Sequence, residues 1–251
     1  MRKLIVAMSI SALFWGSGYS VAQNLNYLGG QKLHLLKLLP PPPPSNSEWE
    51  KRDLSEVLEV QENRTPERAA RGLADDVLSI YRFDDVLGPK FKAANIPITD
   101  AFFKRLHEDS RAYLMMSKEF WSRERPVSVS KEVKPLAPVR LPTAYPSGTT
   151  LFGSVTCIVL ANMIPEKRFE LFERSHDFAW SRVVIGVHFP RDLLAGEIAA
   201  TLIVQGFFQS REFMKDFEVA RTELRKELGY PPDVPDETTP NSIGLNAGTK
   251  E

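Results

Sequence analysis

The chain has 251 residues, with 32 Lys and Arg balanced by 32 Asp and Glu. That length supports one substantial domain, and zero formal charge excludes the global basic field of a nucleic-acid binder. An anion site would have to come from a local cluster of cations.

The N-terminus reads as an address. "MRK" is a basic n-region and "LIVAMSISALFW" an apolar h-region. Small residues at Ser20 and Ala22 precede Gln23, which predicts a secretory signal peptide over 1–22 cleaved after Ala22. The apolar run falls short of the ~20 residues a membrane span needs. No Cys follows it, so no lipid attachment and no stable membrane anchor is expected. Cys157 is the single cysteine and has no internal disulfide partner. It lies in an apolar run and reads as a small buried hydrophobe.

Residues 23–47 read as an extended strap, with Pro40–Pro44 in polyproline conformation. Helices follow. Ser47 with Glu50 three residues later is a capping box. Thr65 caps a helix that opens at Pro66 and runs through "ERAARGLADDVLSIYRF". Thr99 caps a long amphipathic segment that stops before Pro126. The stretch "VSVSKEVKPLAPVRLPTAYP" is a proline-broken loop. Three apolar helical runs come next: "LFGSVTCIVLANMI", "EKRFELFERSHDFAWSRVVIG" and "RDLLAGEIAATLIVQGFF". A charged helix, "REFMKDFEVARTELRKEL", ends near Gly229, and residues 230–251 read as a loose tail. Period-two alternation is scarce. The expectation is an all-α fold: one compact helical domain over 48–229, with buried central helices and amphipathic outer ones.

Three stretches could carry chemistry. Lys118 and Arg125 lie seven apart on the long predicted helix, nearly two turns, so both cations face one way. A solvated basic face would look the same. "AYPSGTT" precedes an apolar helix: Ser147 can donate a hydroxyl bond, Gly148 permits close backbone approach, and the helix-terminal amides suit an anion. An ordinary helix cap would share these features. In "SRVVIGVHFPRD", Arg182 is a bidentate donor for an oxyanion. Asp192 falls four after His188 and can fix its tautomer, leaving the other ring nitrogen free to attack. Three cations, a hydroxyl, an amide nest and an oriented imidazole together suit a phosphoryl group.

These stretches resemble the three-part signature of the type 2 phosphatidic acid phosphatase superfamily, K-x6-RP, PSGH and SR-x5-H-x3-D, here "KEFWSRERP", "PSGT" and "SRVVIGVHFPRD". Over roughly Leu39 to Gln209 the chain is more closely similar to the bacterial class A non-specific acid phosphatases. The resemblance implies a helical fold shared with the vanadium-dependent haloperoxidases and a periplasmic location. It also implies metal-independent hydrolysis of small-molecule phosphate monoesters, without a cofactor. His188 would be the nucleophile, forming a phosphohistidine, with Asp192 orienting it. Lys118, Arg125, Ser147, Gly148 and Arg182 would hold the phosphate, for which vanadate would be a mimic. Relatives that form homo-oligomers imply the same here.

The departure is Thr149, where the family pattern has the histidine that protonates the leaving oxygen. A threonine hydroxyl is too weak an acid for that step, which is worth about 10²–10⁴-fold. Three readings stand: an enzyme of reduced or altered activity; substitution by another acid, such as His107, Glu108, Asp109 or His176; or a binder of phosphate esters with little turnover.

Overall fold

The structure, a computed structural model, describes residues 25–29 and 33–232. The signal-peptide reading over 1–22 and nearly all of the C-terminal tail lie outside those residues. Ten α-helices, two 3-10 turns and no strand occur among the described residues, so the fold is all-α, as the sequence implied. The helices are α1 (Leu35–Leu38), α2 (Glu48–Asn63), α3 (Pro66–Ala74), α4 (Asp84–Leu87), α5 (Pro97–Trp121), α6 (Pro126–Val129), α7 (Gly148–Met163), α8 (Arg168–Val184), α9 (Pro190–Phe208) and α10 (Arg211–Leu228).

Helix α7 is the central element because its sequence is apolar nearly all round; eleven of its residues are buried. It packs against α8 and α9, while α5 and α10 close the far side and α3 lies on α8. Cys157 is fully buried on α7, and burial pushes its thiol up to about 12. Tyr27, Phe102, Phe207, Phe213 and Phe217 form an aromatic cluster between α5, α9 and α10. Asp109 anchors the N-terminal segment there by accepting from the amides of Asn26, Tyr27 and Leu28 at 2.8, 2.7 and 3.0 Å. The polyproline strap crosses the far end of α5, where Tyr145 OH donates to the Pro40 carbonyl.

Local signals resolve into several outcomes. Ser47 Oγ caps α2 by accepting from the Glu50 amide at 3.3 Å. The reciprocal half of the expected box is displaced by one residue, because Glu50 accepts from the Asn46 amide at 2.7 Å. Thr65 caps α3, as its place before Pro66 implied. That helix does not continue to Phe83. It stops at Ala74 because the next residue, Asp75, turns its carboxylate into the core, to Arg174 (2.6 and 3.2 Å), Ser181 (2.8 Å) and Arg82 (3.2 Å). Thr99 is not a cap. Pro97 opens α5, and Thr99 Oγ1 instead donates to the Ala220 carbonyl and Glu223 carboxylate on α10 (3.1 and 2.8 Å).

One correction concerns the site directly. Lys118 and Arg125 do not share a helix. Ser122 takes a left-handed conformation and ends α5 at Trp121. A residue before proline avoids the helical region, and Arg125 accordingly has φ −80° and ψ 156° ahead of Pro126. The two cations reach one cavity from a helix and from an extended segment, rather than from one helical face.

Candidate active site

A cavity of about 750 Å³ lies between α5, α7 and the loops before α7 and α9. Six of the eight residues singled out above line it: Lys118, Arg125, Gly148, Thr149, Arg182 and His188. Ser147 and Asp192 are fully buried behind it.

Local sequence explains the placement. Gly186, at φ 74°, turns the chain out of α8; a Cβ there would lie 3.3 Å from the Pro135 backbone. Pro190 then opens α9, and Asp192 in its first turn reaches back to the Phe189 amide at 2.9 Å. The same oxygen, Oδ2, lies 3.1 Å from His188 Nδ1. Ser147 caps α7; its Oγ accepts from the Thr150 amide (3.3 Å) and hydroxyl (2.9 Å), which leaves its own proton to donate. The Ser147 amide donates to the Asp192 carbonyl at 2.9 Å, tying the two loops together. Gly196 allows this approach, since a Cβ there would sit 2.8 Å from the Ser147 carbonyl.

The tautomer of His188 follows from its partners. Arg125 Nη1 lies 2.7 Å from His188 Nε2 and also donates to the Val187 carbonyl at 2.7 Å. Guanidinium has only donors, so Nε2 must be the acceptor and Nδ1 carries the proton toward Asp192. Burial, then the Arg125, Lys118, Arg182 and Arg123 charges, hold His188 well below the usual imidazole range, so the ring is neutral. Burial also lowers Lys118 to about 7, helped by Arg125; its Nζ donates to the Thr143 and Ala144 carbonyls, both at 3.2 Å. Arg125 is lowered to about 10 by burial. Arg182 donates to Asp76 at 2.6 Å, while its Nε is buried without an acceptor among the described residues.

Two residues behind the site, Arg123 and Asp53, escaped the sequence reading. Arg123 is 5% exposed and bridges two fully enclosed carboxylates, Asp192 Oδ1 at 2.7 Å and Asp53 Oδ2 at 2.8 Å. Its guanidinium also lies 4.2 Å from the Phe189 ring centroid. Burial pushes the Asp192 carboxyl up, and Arg123 pulls it back toward the ionised form that can accept all three bonds. Asp53 on α2 also pairs with Arg191.

The proposed substitute acids separate. Asp109 is committed to the N-terminal amides, and His176 lies on α8 facing Glu197, away from the cavity. Glu108 and His107 do line the cavity. His107 Nε2 is 3.0 Å from Thr156 Oγ1, whose one proton goes to the Phe152 carbonyl at 2.8 Å. His107 therefore donates its Nε2 proton to Thr156, and burial holds the ring at about 3, neutral and with no proton to spare.

Residues 110–215 match the model of the PAP2 superfamily. The chain is 27% identical over 199 residues to an acid phosphatase of Zymomonas mobilis, covering 76% of this chain and 75% of the relative. It is 26% identical over 221 residues to a non-specific acid phosphatase of Providencia stuartii, covering 84% and 89%. A transmembrane PAP2-type phosphatidylglycerolphosphate phosphatase of Bacillus subtilis aligns at 16% identity with TM-score 0.47, over 68% of this chain and 88% of that one. The chain is thus similar to the PAP2 superfamily over these residues and to non-specific acid phosphatases over most of its length, as its three motifs implied.

Among the described residues no group of three or more His, Cys, Asp or Glu could hold a metal ion. No single described helix is long and apolar enough to cross a membrane; α9 and α10 pass that test only together, across a 96° bend.

Proposed function

We propose that the protein hydrolyses phosphate monoesters, with His188 as nucleophile. The observation that carries this reading is the neutral His188 on the cavity wall, its Nδ1 proton directed at Asp192, in a cavity whose lining includes Lys118, Arg125 and Arg182. Phosphate would enter among Lys118, Arg125, Arg182, the α7 amides and the Ser147 hydroxyl. Its oxygens would draw Arg125 off Nε2, so binding itself frees the attacking nitrogen. Nε2 then bonds phosphorus while the bond to the leaving oxygen breaks. The Nδ1 proton stays on the ring, and Asp192 offsets the positive charge that develops there. Water next attacks phosphorus, the P–N bond breaks, phosphate leaves and the neutral ring returns.

The leaving oxygen needs a proton. Thr149 stands where the family pattern supplies an imidazolium, His107 has none to give, and Glu108, although on the cavity wall, accepts from the Asn26 side-chain amide at 3.3 Å. We therefore propose reduced turnover, most reduced for alkyl phosphates with basic leaving groups. Vanadate should occupy the same cradle, and the protein would work in the periplasm after export. The test is the hydrolysis rate of a phosphate ester series plotted against leaving-group pKa. A steep negative slope supports the missing donor, and a flat one contradicts it.

A second reading, a phosphate-ester binder with little turnover, is favoured by the same Thr149 substitution and by Arg125 bonded to Nε2. It predicts tight vanadate binding with no hydrolysis of any ester in the series.

A further inference from the structure

The cavity extends well past the phosphate cradle. Along α5 it is lined from Asp100 to Lys118, an axial rise of roughly 27 Å at 1.5 Å per residue. Phosphate needs only one end of it. The outer wall carries a stack of three rings. His107 lies over Phe152 with centroids 3.9 Å apart and planes at 23°, and Phe103 lies 6.1 Å from His107 at 27°. All three residues line the cavity.

The stack of rings carries one polar atom free to bond, with Lys104, Glu108 and Arg111 lining the same cavity beside it. His107 Nε2 is spent on Thr156, and no described residue hydrogen-bonds its Nδ1. Nδ1 is thus an unused acceptor on the stack of rings. Burial holds the ring neutral, so Nδ1 keeps its lone pair through the acid range. Lys118 lies eleven positions further along α5, roughly 16 Å of rise. On the α7 side Phe152 lies three residues past Thr149, roughly 4.5 Å of rise, so an aryl group leaving the cradle runs along Phe152 before it meets His107.

We propose that this wall is a leaving-group subsite. It would take an extended flat aromatic group against Phe152 and His107, with His107 Nδ1 accepting from an O–H or N–H at that group's far end. His107 is then a specificity-determining residue that contacts the leaving group and takes no part in proton transfer. The proposal rests on the phosphatase reading for its kinetic readout, while its binding readout stands without it.

The matched probes are biphenyl phosphate and its analogue with a hydroxyl at the far para position, which differ in the donor and little in leaving-group basicity. The native protein should favour the hydroxylated ester by about fivefold to tenfold in kcat/KM, the worth of one hydrogen bond. His107→Leu should erase that preference while inhibition by inorganic phosphate stays unchanged. Phe152→Leu should weaken both biphenyl esters several-fold relative to methyl phosphate. A ratio near one in the native protein overturns the proposal even if neither variant folds. An unchanged ratio in His107→Leu overturns it as well. Where no hydrolysis is detected, the same ratio is read from dissociation constants; a preserved preference there supports the subsite and contradicts only the phosphatase reading.

Discussion

Arg125 Nη1 sits 2.7 Å from His188 Nε2, so a cation occupies the direction from which phosphorus would approach. The contact fixes Nε2 as an acceptor and keeps the ring neutral without a ligand. On the proposed mechanism it would also couple binding to activation, because the guanidinium would exchange one acceptor, the imidazole, for another, a phosphate oxygen. A charged acceptor makes the stronger bond.

Restoring an acid at position 149 should raise turnover. Thr149→His places an imidazole where the cavity meets the α7 N-terminus. The expected gain is about 10²-fold or more for alkyl phosphates and small for aryl phosphates, whose leaving groups need little protonation. Steady-state kcat across the ester series checks this. An equal gain for both classes would mean that the substitution acts on binding rather than on the leaving group.

Arg123 should behave as a positioning residue. Arg123→Ala leaves the carboxylates of Asp53 and Asp192 buried without it, and breaking such a pair costs about 3–5 kcal/mol of stability. Arg123→Lys keeps the charge but cannot bridge both acids in the same fork geometry. It should fold, lower kcat more than KM, and shift the acid limb of the kcat profile as Asp192 loses its partner. Chemical denaturation and pH–rate profiles read the two effects separately. A Lys variant with native kcat and pH profile would make Arg123 purely structural.

Lys118 sets a basic limb. With its ammonium lowered to about 7, it loses its charge as pH rises through neutrality, and phosphate binding should weaken. The sign for stability is opposite. Between about 7 and the ordinary lysine range the unfolded chain binds more protons than the folded one, so this group makes the protein more stable as pH rises. Lys118→Arg keeps its charge throughout and should hold inhibition by inorganic phosphate above pH 8, where the native protein weakens. Parallel curves for the two proteins would contradict the assignment.

Much of the fold was legible because α5, α7, α8, α9 and α10 each carry a helical apolar pattern with a stop signal in the chain. Gly229 ends α10 in the left-handed region, as expected of a glycine just past a helix. The failures have long-range causes. Asp75 breaks α3 because its partner Arg174 is 99 positions away, and Thr99 serves α10 from 121 positions off. In the site, His188 and Asp192 could be paired from their i,i+4 spacing alone. Arg123 could not, because its partners lie 69 and 70 positions away. Lys118 and Arg125 were brought together by a helical spacing that does not exist past Trp121. They meet because a left-handed Ser122 and the constraint before Pro126 redirect the chain.

The claim that His188 Nε2 attacks phosphorus is tested most directly by rapid acid-free quenching during turnover of an aryl phosphate. The expected result is an acid-labile, base-stable phosphoenzyme that forms in the native protein and is absent in His188→Ala, with hydrolysis abolished there. A phosphoenzyme that persists in His188→Ala, or full hydrolysis by that variant, would contradict it.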